Sequence, residues 1–146
     1  MDGARTPTHI EHIGIAVKDL DAAVTLFQKL LGVPCYAVEE VADQKVKTAF
    51  FRVGLTKIEL LESTAPDGPV GKFIERRGEG IHHIALAVPD VRASLRALES
   101  SGIRLIDPEP RPGAEGLATA FLHPASTGGV LMELCGKPEP SRREKL

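Results

Sequence analysis

The chain has 146 residues, 42% of them hydrophobic, and a formal net charge of −2 from 18 basic and 20 acidic side chains. That length supports a buried core and predicts one compact unit unless the sequence divides internally, while the mixed charges leave no broad basic surface for nucleic acid and no polybasic membrane face. No apolar run approaches the about 20 residues of a membrane span, and the N-terminus lacks a basic region followed by an apolar one, so a cytoplasmic protein is expected.

After a polar lead, Met1 to Thr8, residues 10 to 17 alternate in hydrophobicity and end at Asp19, which reads as a strand running into a helix cap. Leu20, Val24, Phe27, Leu30 and Leu31 then recur at helical spacing, and Gly32 supplies the stop. Strands are predicted over Val33 to Val41, Lys45 to Val53 and Thr56 to Glu62, the last two joined by a tight Gly54-Leu55 turn. The first half, residues 10 to 62, therefore reads βαβββ. Residues 63 to 69 form a turn-rich linker, and Val70 to Arg77 is a candidate short connecting helix.

The second half, residues 80 to 136, restarts the pattern. Strand 81 to 88 leads through Asp90 into a helix ending near Ser101, and Gly102 follows as Gly32 did. Ile103 to Ile106 reads as a short strand. The segment from Pro108 to Gly116 is too rich in proline to sit inside a sheet, and strands Leu117 to Leu122 and Val130 to Cys135 close the unit. The Ser141 to Leu146 tail reads as a solvated, frayed end.

The two halves repeat each other in detail. His83 falls on His12 and Asp90 on Asp19, both 71 residues apart (83 − 12 and 90 − 19). Ala120-Phe121 matches Ala49-Phe50 at the same offset, and Met132-Glu133-Leu134 matches Ile58-Glu59-Leu60 at 74 (133 − 59), the longer second-half loops absorbing the difference. Each half thus supplies one histidine and one glutamate.

Strand alternation assigns these residues to faces. His12, Gly14 and Ala16 share one face of the first strand, and Ile13, Ile15 and Val17 share the other, which the helix must cover. The matching faces in the second half are His83, Ala85 and Ala87 against Ile84, Leu86 and Val88, a parity that picks His83 over His82. Glu59 and Glu133 each point away from hydrophobic neighbours. A carboxylate there is expensive to bury unless paired or bound to a metal. Taken singly, each glutamate could face water and each histidine could be a hydrogen-bonded core residue. Four such residues at repeat-related positions, mixing nitrogen and oxygen ligands, favour a divalent metal site. Cys35 and Cys135 are too far apart in sequence for a zinc knuckle or redox pair and read as small buried residues, Cys135 on the strand face of Glu133.

The doubled unit resembles the vicinal oxygen chelate (glyoxalase/bleomycin resistance) superfamily over nearly the whole chain, Ile10 to Gly136. Within it, Gly78-Glu-Gly-Ile-His-His-Ile-Ala-Leu86 and Phe121-Leu-His-Pro-Ala-Ser-Thr-Gly-Gly-Val-Leu-Met-Glu-Leu134 are similar to the methylmalonyl-CoA epimerase family. The resemblance implies one α+β domain over 1 to 146, whose two tandem βαβββ modules form a cupped, mostly antiparallel sheet around a metal site. It implies His12, Glu59, His83 and Glu133 as ligands of one divalent ion per chain, cobalt first, with manganese, nickel or zinc as alternatives. It further implies a homodimer acting on an acyl-CoA, and interconversion of (2R)- and (2S)-methylmalonyl-CoA by proton removal and return at C2 through a metal-stabilised enolate.

The chain departs from the family pattern in one place. Many of these epimerases carry glutamine at the position of Glu59 and a glutamate at that of Thr48. Glu59 is therefore expected to serve with Glu133 as the catalytic pair, each exchanging between ligand and base; Asp43 or Glu40 is the fallback base. Lys45, Lys47, Lys72 and Arg111 are candidates for coenzyme A phosphates, whereas the Gly113 to Gly116 turn leads into a strand and is no phosphate loop. Other activities on this scaffold are a glyoxalase I-type lyase with the same four ligands and a metal-free small-molecule-binding module. A ring-cleaving dioxygenase would need only two histidines and one carboxylate.

Overall fold

The computed structural model describes residues 6–140, so the expectations for residues 1–5 of the lead and for the 141–146 tail lie outside the described residues. The described residues fall into two compact units, 10–84, and 85–140 together with 6–9. Both combine strands with helices, and the fold class is α+β.

The first unit holds β1 (His9–Ala16), α1 (Leu20–Leu31), β2 (Ala37–Val41), β3 (Val46–Val53), β4 (Thr56–Ser63), α2 (Pro69–Arg77) and the start of β5 (Gly80–Ala87). The strands lie in the order β2-β3-β4-β1-β5, with β3 antiparallel to β2 and β4, and β1 parallel to β4. Asp19 starts α1 by accepting the Ala22 N–H at 3.1 Å, and Gly32 ends it in the left-handed region at φ 69°. As the alternation predicts, α1 covers the bulky face: Val24, Phe27 and Leu31 pack on Ile15, Val17, Phe51, Ile58 and Leu60. The opposite face is partly covered by α2, whose Val70, Phe73 and Ile74 pack with Ala16, Val46 and Leu61. His12, Gly14 and Glu59 lie on that second face with Ala16 and Leu61.

The second unit continues β5 into α3 (Val91–Ser100), β6 (Arg111–Pro112), β7 (Ala118–Leu122) and β8 (Met132–Gly136), with strand order β5-β8-β7-β6. Asp90 caps α3 through the Ala93 N–H at 3.0 Å, repeating Asp19. Val91 and Leu95 of α3 pack against Ala118, Ala120, Leu122 and Leu134.

Three elements differ from expectation by more than a residue or two at an end. β2 begins at Ala37 rather than Val33, because Pro34 has no N–H to give and the Cys35 N–H goes to the Gln28 side chain. The strand expected over Ile103 to Ile106 shrinks to a single bridge, Leu105 to Leu122, since the Asp107 carboxylate takes the Phe121 N–H that would have extended the ladder. Conversely, the proline-rich loop does contribute a strand, β6, which is tolerated because it is two residues long and lies at the sheet edge. Among the described residues no helix is long and apolar enough to cross a membrane.

Candidate active site

In the first unit the strand register assembles three of the four expected residues. Gly14 of β1 pairs with Glu59 of β4, which pairs in turn with Phe50 of β3, so these side-chain directions share the face of His12. The neighbouring pair is His12 with Lys57, and β5 flanks β1 on its other side. Gly14 is required here by space: a Cβ added to it would come 2.4 Å from Cε1 of His83. The His83 imidazole rests over that gap.

His12 and His83 face each other through their Nε2 atoms at 2.9 Å, their rings at 86°. The other nitrogen of each ring is held. His12 Nδ1 lies 2.7 Å from Glu11 Oε1 and 3.1 Å from Glu59 Oε2, and His83 Nδ1 lies 2.9 Å from His82 Nδ1. A carboxylate accepts only from an N–H, so the His12 proton belongs on Nδ1 and its Nε2 presents a lone pair toward His83. A shared proton or a cation relieves that apposition. The facing ring nitrogens, with the buried Glu59 carboxylate beside His12, are donors of the kinds a divalent ion takes, so the residues present fit the cation that the family implies.

Burial removes one of the alternatives left open by the sequence. Glu59 is 4% exposed and Glu133 6%, so neither faces water. Glu59 lies at the Nδ1 edge of His12, while His83 lies at the Nε2 edge. The carboxylate is thus brought beside the histidine rather than against the gap between the two rings. Glu133 belongs to the second unit. It sits on β8 opposite Phe121, a buried candidate ligand pointing away from Leu134 and accepting the Cys135 thiol at 3.4 Å. Cys135 is buried on that face as expected; Cys35 is only half-buried and donates to the Ala37 carbonyl.

Three residues of this region were not singled out by the sequence. Glu11 and Lys57 flank His12, with Lys57 Nζ 3.0 Å from Glu11 Oε1 and 3.8 Å from Glu59 Oε2. Burial pushes the Glu11 carboxyl up, but the hydrogen bond from His12, joined by the charge and hydrogen bond of Lys57, outweighs it and holds the group below the ordinary carboxylate value. His82 packs edge-on against Phe73, and burial lowers its pKa to about 4, so it is neutral at pH 7. A signal existed for Lys57, since the period of two places it with Glu59 and Leu61; the rule that lysines sit outside concealed it. Of the coenzyme A candidates, Lys45 pairs with Asp67 at 2.5 Å and Arg111 lies 3.5 Å from Asp107.

Residues 11–121 match the model of the glyoxalase/bleomycin resistance protein/dioxygenase superfamily. The human mitochondrial methylmalonyl-CoA epimerase is 34% identical over 86% of this chain and 72% of its own. The ethylmalonyl-CoA/methylmalonyl-CoA epimerase of Cereibacter sphaeroides is 37% identical over 86% of this chain and 95% of its own. Among solved structures, a variant of the Streptomyces coelicolor methylmalonyl-CoA epimerase in complex with 2-nitronate-propionyl-CoA superposes with a TM-score of 0.87 at 37% identity, covering 92% of this chain and 100% of that one. With a doubled βαβββ architecture, a buried histidine pair and these relatives, the chain belongs to the methylmalonyl-CoA epimerase family of the glyoxalase/bleomycin resistance/dioxygenase superfamily.

Proposed function

We propose that this chain is a metal-dependent epimerase that interconverts (2R)- and (2S)-methylmalonyl-CoA by removing and returning the proton at C2. The observation that carries the reading is the pair of buried Nε2 atoms 2.9 Å apart, each on a ring whose other nitrogen is held. The activity named for the relatives supports the substrate.

His12, His83, Glu59 and Glu133 would hold the cation, Glu59 by turning its carboxylate away from Nδ1 of His12, where it rests 3.1 Å away, with cobalt first and manganese, nickel or zinc as alternatives that accept mixed nitrogen and oxygen ligands. When bound, a divalent ion supplies Lewis-acid stabilisation of the negative charge that develops on the thioester oxygen as the C2 proton leaves. The acidity of C2 comes from its position between a thioester carbonyl and a carboxylate.

Epimerisation needs proton removal on one face of C2 and delivery on the other, so two groups serve it better than one. Glu59 and Glu133 are the proposed pair, supported by their equivalent places in the repeat and by their burial. One starts ionised and takes the C2 proton, the other starts protonated and gives its own, and the states are exchanged at the end of the turnover. Glu59 takes this part because Thr48 stands where many relatives of the family carry a glutamate. The working form is a homodimer in the cytoplasm, a setting that the family supports.

The test offers cobalt-loaded protein either methylmalonyl-CoA in deuterated water or the hemithioacetal of methylglyoxal. Label at C2 of the first and no turnover of the second is expected. The reverse result assigns a glyoxalase, and inertness toward both with tight binding assigns a binding module.

A further inference from the structure

The geometry points to Lys57 and Glu11 as positioning residues that lock the metal-binding imidazole of His12, an inference that rests on reading His12 as a ligand. Lys57 is 5% exposed, unlike the solvated lysine at position 45, and it stands directly across the β1–β4 pairing from His12. A buried ammonium is costly unless its charge is answered nearby. Here the answer is Glu11 at 3.0 Å and Glu59 at 3.8 Å, with the Phe50 ring 5.8 Å from Nζ.

Both carboxylates converge on the same atom, Nδ1 of His12. Two carboxylates that close repel each other, and Lys57 is the charge that holds them together. Its ammonium touches Glu11 through the same Oε1 that contacts His12, so the chain of contacts runs Lys57, Glu11, His12. The outcome is a local excess of one negative charge against the imidazole N–H. That excess fixes the ring's orientation and its tautomer, leaving Nε2 as the electron-pair donor aimed at His83. Partners of this kind on the far nitrogen of a ligating histidine typically change metal affinity 10- to 100-fold.

The experiment uses the full chain. Co²⁺ affinity is measured by chelator competition for wild type, K57M, E11A and H83A, and the His12 tautomer is read from ¹⁵N shifts of the metal-free proteins. Wild type is expected to hold His12 as the Nδ1–H tautomer, and K57M and E11A to lose about 10- to 100-fold in Co²⁺ affinity with a mixed His12 tautomer. If K57M does not fold, the charge-balanced E11A/K57M double variant carries the test with the same expected loss. A pair that merely supports the fold would lower Tm and leave Co²⁺ affinity and the His12 tautomer as in wild type, which overturns the inference. H83A separates this from the reading beneath it: if H83A binds Co²⁺ as wild type does, the histidine pair is no metal site; if H83A loses the ion while K57M and E11A keep it, only the inference about Lys57 and Glu11 fails.

Discussion

Gly14 lies beneath the imidazole of His83, close enough that a Cβ at position 14 would sit 2.4 Å from Cε1 and 2.7 Å from Nδ1 of that ring. The side chain that β1 lacks is the space that the β5 histidine uses. In G14A the methyl displaces the ring and separates it from His12. The expected result is a Co²⁺ affinity at least about tenfold weaker with the fold retained, read by chelator competition alongside circular dichroism.

Glu59 is proposed to transfer a proton as well as to hold metal. E59Q keeps the size and the hydrogen-bonding reach of the side chain and removes its basicity. Turnover should fall by about 10²- to 10⁴-fold while cobalt content changes little, measured by stopped assays with metal analysis of the same samples. Retained turnover would return Glu59 to a ligand role alone and direct attention to Asp43 or Glu40.

His82 gives the metal-free protein a specific response to acid. Burial lowers its folded pKa from 6.5 to about 4, so between those values the unfolded chain binds the extra proton and the folded chain does not. The contribution to stability is complete above pH 6.5 and is lost as the pH falls toward 4, amounting to about 3 kcal/mol. Urea unfolding at steps between pH 7 and 4 should show the decline, and H82F should remove about one proton from its slope. An unchanged slope in H82F would mean that His82 is not the group that titrates.

The repeated caps make a prediction about stability alone. Asp19 and Asp90 each accept an N–H three residues on, at the start of α1 and α3. D19A and D90A should each cost about 1 kcal/mol in denaturant unfolding and leave Co²⁺ affinity unchanged. Loss of metal binding in either would show that the helices position the site more directly than their packing suggests.

Much of this was legible in the chain because both signals that carried it are local. The 71-residue echo of His12 in His83 and of Asp19 in Asp90 needs only the sequence, and strand alternation then chooses His83 over its neighbour. α1 spans Leu20–Leu31 as its spacing and its Gly32 stop require. The errors arose where side chains compete with backbone for hydrogen bonds: Gln28 with β2 and Asp107 with the strand expected at 103 to 106. The arrangement around His12 was illegible for another reason. Glu11 alternates away from His12 along β1, yet its carboxylate reaches Nδ1, and Lys57 is buried only because two carboxylates converge on it. Alternation gives the direction in which a side chain leaves the strand and says nothing of where a long one ends.

The role of the histidine pair is tested most directly by C2 proton exchange in methylmalonyl-CoA, followed in deuterated water for three preparations: cobalt-loaded protein, the same protein stripped by chelator and dialysed, and cobalt-supplemented H12A/H83A. Rapid labelling by the first, its loss in the second with recovery on adding Co²⁺ back, and none in the third is the predicted result. Equal labelling by the stripped protein, with metal content verified as nil, would contradict a reaction that depends on a cation held by His12 and His83.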